Sequence, residues 1–163
     1  MVNAVQMTSE TLVYATLGGL AIALLVSIYT DIRYRLIFNE VNIAIALGAP
    51  LFWLASGGFN PTGIGIHLLT AAITLIVFAI AFHFGAMGGG DVKLFAALAL
   101  WFHWVEVIRL ILYASIIGAA VTIIFLAIHN WKRSDGRARI PYGVAIAVSG
   151  LWISGERIFN HFT

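Results

Sequence analysis

The chain has 163 residues, of which 61% are hydrophobic and only 10% charged, with a formal net charge of +2 and no cysteine. A soluble domain needs about 25% charged residues to face water, so this composition excludes one and reads as a single membrane-embedded domain over 1–163. Without cysteine there are no disulfides and no thiolate metal sites, and basic residues scattered in ones and twos do not form the stripe that nucleic acid requires.

Crossing the hydrocarbon takes about 20 mostly apolar residues. The first such segment is 12–29, and the residues before Asp31 offer no signal-peptide cleavage site, so it is expected to be retained. A shorter one follows at 41–55, carrying Pro50, and a third at 64–84. The stretch 92–104 is apolar but only about 20 Å long as a helix. Segment 108–128 is unambiguous, and 142–158 starts just after Pro141, where a missing N–H costs least.

Charge placement decides whether 92–104 crosses. If it does, Arg33, Arg35, Lys93, Lys132, Arg133, Arg137 and Arg139 share one side, and only Arg109 and Arg157 lie opposite. Seven against two satisfies the positive-inside rule with the amino terminus outside. The expected fold is therefore all-α, a polytopic bundle of six transmembrane helices. The turn around 103–106, lacking Gly and Pro, has no sequence explanation. Both Asp31, ending the first span, and Asp91, opening the fourth, fall at the cytoplasmic boundary.

Asp91 follows three consecutive glycines, Gly88, Gly89 and Gly90, which free the backbone for close approach. Alone, it reads equally well as a helix N-cap, and Asp31 alone reads as an interfacial acid beside Arg33 or Arg35. Together they suggest more. Two carboxylates in one site can share a proton, and one can then act as base while the other acts as acid. Such a pair is expected to face one cytoplasm-open cavity, within about one helix diameter, ~10–12 Å.

Gly88-Gly89-Gly90-Asp91 with Lys93 resembles the GxGD motif of prepilin peptidases, which are intramembrane aspartyl proteases. The stretch from Asp31 through Arg33 and Arg35 to Ile37-Phe38-Asn39 is similar to that family's first-aspartate segment, with Phe38 where the family prefers proline. Ile140-Pro141-Tyr142-Gly143 resembles the start of its last span. By size the chain resembles the small branch serving tight-adherence (Flp-type) pili. The resemblance implies Asp31 and Asp91 as the catalytic pair, with Gly88, Gly90 and Lys93 as the supporting motif. It also implies prepilin or pilin-like substrates, no cofactor, no metal, and a multi-pass inner-membrane location with the active site facing the cytoplasm. N-methyl transfer is not carried over.

Other residues have plainer readings. His67, His83, His103, His129 and His161 lack metal-site spacing and suit the interface, as do Trp53, Trp101, Trp104, Trp131 and Trp152 as an aromatic belt. Gly118 and Gly143 read as helix-packing positions, Asn39 as the cap of the second span, and Lys93 as either a modulator of Asp91 or a lipid anchor. A proton-coupled transporter and a non-enzymatic part of a pilus or secretion machine are the competing functions. A transporter usually shows internal repeats and mid-membrane acids.

Overall fold

Apart from Lys93, residues 92–99 are apolar, and a helix that is apolar nearly all round has to be surrounded. The computed structural model describes residues 2–57, 59–131 and 140–162 and places that stretch at the centre of the bundle. All regular structure among them is helical: α1 (Val2–Tyr34), α2 (Asn39–Ala55), α3 (Pro61–His83), α4 (Gly89–Ala99), α5 (Trp104–Trp131) and α6 (Tyr142–Phe162). The chain is thus a membrane helix bundle, and α1, α3 and α5 are long and apolar enough to cross.

The central helix α4 packs against α2, α3, α5 and α6, while α1 lies on α2 and α6. At 11 residues, α4 is about 16 Å long, roughly half the hydrocarbon thickness. Lipid offers no hydrophobic drive between helices, so close packing and small residues have to hold them together. Gly48 of α2 makes that visible: a Cβ there would stand 2.7 Å from the Trp101 ring. Gly150 of α6 is the point where Leu24 of α1 and Leu98 of α4 converge. Phe78 of α3 stacks on Phe95 of α4 with centroids 4.3 Å apart.

Because α4 is short, the turn that follows it lies inside the bundle, and the carbonyls of residues 100–102 need donors. Trp53 Nε1 donates to Leu100 O at 2.8 Å, the His67 ring pairs with Phe102 O, and Arg157 donates to Trp101 O. Trp101 in turn donates to Ile45 O of α2 at 2.7 Å. Trp53 and Trp101 are therefore buried clasps and not belt residues as the sequence suggested. Trp104 and Trp152 are exposed.

The unexplained turn before α5 is a capping arrangement. The His103 N–H donates to Glu106 Oε2 at 2.9 Å, with the acid three residues into the helix reaching back to its start. Glu106 also pairs with Arg157 and Glu156 with Arg109, so both cations are neutralised. Ionisable groups at membrane depth are stable when paired in this way.

Candidate active site

Asp31 lies three residues before the end of α1, and the local backbone is built around it. The Arg35 N–H donates to Asp31 O at 3.0 Å, and Arg35 itself takes φ 55°. That is a left-handed helix terminator closed by a single bond to the third-last helical carbonyl. A side chain in this conformation costs roughly 1 kcal/mol or more relative to glycine. The chain then turns through Leu36 and Ile37 into α2.

The Asp31 carboxyl is buried, and burial without a donor is costly. Its donor is the start of α6: the Val144 N–H bonds Oδ2 at 3.1 Å. The first N–H groups of a helix are unpaired and carry its positive dipole end, so α6 begins where an anion is needed. One residue earlier, a side chain would press on the site. A Cβ on Gly143 would stand 2.5 Å from Ile37 Cδ1 and 2.9 Å from Asp31 Oδ2.

Asp91 is the third residue of α4, whose N-cap is Gly88. Its carboxyl turns back over the cap, so that a Cβ on Gly88 would lie 2.9 Å from Oδ2. Gly90 packs on Ile37, with a Cβ there 3.2 Å from the isoleucine Cβ. Ile37 is thus a wedge between the two glycines, holding the start of α4 against the start of α6. The Asn42 side chain donates to Gly90 O at 3.4 Å and ties the same segment to α2.

Both aspartates line one cavity of about 420 Å³, together with Arg35, Leu36, Ile37, residues 85–90, Ile140 and Tyr142. The two carboxyl groups lie within electrostatic range of each other. Helices α1 and α4 come together mainly through their shared neighbours α2 and α6, not through broad contact of their own. Gly85 turns at φ 72° where the chain leaves α3 for the cavity wall, a conformation that glycine adopts at no steric cost.

Of the supporting motif, Gly88 and Gly90 line the cavity. Lys93 faces away from it and donates to Asn39 Oδ1 at 2.8 Å. Asn39 is the first residue of α2 and does not cap it; the N-cap is Phe38, which makes no side-chain capping bond. The basic cluster at 132, 133, 137 and 139 lies outside the described residues. Among the described residues no three of His, Asp and Glu gather as a metal site would need. The roles of Gly143, Val144 and Ile37 were not legible as such in the sequence. The one available signal was Pro141, which marks where a helix and its free N–H groups begin.

Phe38 takes φ −67° and ψ 143°, and proline fixes φ near −65°. Its N–H makes no backbone bond among the described residues. Phe38→Pro is therefore expected to keep the turn and raise stability by about 0.5–1 kcal/mol through the unfolded chain. Thermal unfolding in detergent checks this.

The model of the type IV leader peptidase family matches residues 18–123 of the chain. A protein of Pectobacterium carotovorum named prepilin leader peptidase/N-methyltransferase is 30% identical over 134 residues, 79% of this chain and 47% of its own. Proteins of the same name are 32% identical over 125 residues in Dickeya chrysanthemi (74% and 43%) and 38% over 80 residues in Legionella pneumophila (47% and 26%). The chain thus spans less than half the length of these curated relatives. No solved structure matches it. With both cavity aspartates inside a match that covers more than half of its residues, the chain belongs to the type IV leader peptidase family.

Proposed function

We propose that this chain is a membrane aspartyl endopeptidase that removes the leader of type IV prepilins, of the Flp type, with Asp31 and Asp91 as the catalytic pair. The observation that carries the reading is one cavity lined by both acids. A deprotonated carboxylate takes a proton from water as its oxygen attacks the peptide carbonyl carbon. The protonated partner gives its proton to the carbonyl oxygen, forming a tetrahedral diol. On collapse the C–N bond breaks, and a proton passes from the pair to the leaving amine. Holding two acids close keeps one proton between them, because both cannot ionise at contact distance.

The prepilin substrate follows from what the relatives are named for and from the Flp-branch resemblance. A transporter is disfavoured because both acids sit at one end of the bundle, where α1 ends and α4 begins. The test is to incubate the purified full chain with a purified type IV prepilin and read the product masses. One cut between basic leader and apolar helix is expected. An intact prepilin favours the non-enzymatic assembly role.

The cavity is proposed to face the cytoplasm of a multi-pass inner-membrane protein. Since the chain has no cysteine, single cysteines can be introduced and labelled. Positions 33, 86 and 136 should react from the cytoplasmic side only. Labelling of 136 from outside overturns the six-span topology.

A further inference from the structure

The proposed hydrolytic pair does not use Arg35, yet the fold spends strain on it. A left-handed helix terminator favours glycine, and this one holds an arginine at φ 55°. Arg33, two residues earlier, is exposed, whereas Arg35 is half-buried and lines the cavity of the two aspartates. Its guanidinium lies 4.4 Å from the Phe125 ring centroid. Stacking occupies one face of the plane and leaves the N–H groups pointing outward along its edge.

Asp31 lies within electrostatic range of Arg35, but takes its hydrogen bond from the Val144 N–H. Among the described residues, Nη1 is shielded from solvent and meets no acceptor, although buried polar groups are nearly always paired. An ionised carboxylate accepts only, and the single proton shared by the pair is the one the proposed reaction uses. A peptide held extended for cleavage presents carbonyl oxygens that have lost their helical partners and need donors. An arginine on a long stem can turn a free N–H to such an oxygen by changing rotamer alone.

We propose that Arg35 is a substrate-binding residue whose guanidinium donates to a backbone carbonyl of the segment being cleaved and holds that segment over the aspartate pair. This rests on the peptidase reading above. Because the bond forms to substrate before and during reaction alike, its loss raises KM more than it lowers kcat.

Arg35→Gly separates this from a structural role. Glycine relieves the backbone strain, so the melting temperature should hold or rise by a few degrees. KM for the purified prepilin should rise about tenfold or more, as for loss of a hydrogen bond from a charged donor. Arg35→Lys keeps the charge without the fork and should give an intermediate KM, and it decides the matter if the glycine variant does not fold. Arg33→Ala should match the wild type. A wild-type KM in either Arg35 variant overturns the proposal, as does a fall in kcat at unchanged KM. Failure of the peptidase reading looks different, because then the wild type itself leaves the prepilin uncut.

Discussion

Gly143→Ala is expected to cut prepilin cleavage about a hundredfold or more, since displacing a reacting group by even 1 Å has effects of this size. The added Cβ meets Ile37 Cδ1 at 2.5 Å and Asp31 Oδ2 at 2.9 Å. Relief requires moving the wedge, which also supports Gly90, or rotating the carboxyl away from the Val144 N–H. Either way Asp31 leaves its position, while the helices keep their main packing. Gly118→Ala is the control. There the Cβ meets the Tyr142 ring at 3.5 Å and Ala145 at 3.7 Å, ordinary contacts that should leave activity within a few-fold of wild type. Initial rates of both variants on the same prepilin, at matched folded protein, check the contrast. Equal rates for the two variants would remove Gly143 from the site.

Much of the fold is legible in the sequence because apolar segment lengths and turn residues dictate it. All six expected segments overlap helices, and Asn60, Pro61 and Pro141 stand at or beside helix starts. The 92–104 stretch is legible as apolar, but not as a helix that stops at Ala99. The turn after it is held by Trp53, His67 and Arg157, side chains from three other helices that pair with the carbonyls of residues 100–102.

The site is legible in part for the same kind of reason. Carboxylates and a glycine run announce themselves locally, so Asp31, Asp91, Gly88 and Gly90 could be found. The donor to Asp31 is a backbone N–H more than a hundred residues away, and a backbone N–H has no signature in residue type. Lys93 shows the converse. Its sequence position left open a modulator of Asp91 or a lipid anchor, and its stem carries the ammonium to Asn39 at the head of α2. Arg33 and Arg35 looked equivalent, and only the left-handed turn separates them.

The central claim is that Asp31 and Asp91 form one hydrolytic pair, and the measurement that tests it most directly is leader cleavage by Asp31→Asn and Asp91→Asn. Asparagine keeps the size of the side chain and can neither take the proton from water nor supply one to the carbonyl. General acid–base catalysis contributes about 10²–10⁴-fold per group, and members of one catalytic unit fail together instead of adding. Each single variant should therefore lose about a thousandfold or more in rate, and the double variant should be no worse than either. All three should still accumulate in the membrane, because asparagine keeps the side chain's size and its amide oxygen can still accept from the Val144 N–H. Cleavage at or near the wild-type rate in either single variant would contradict the account.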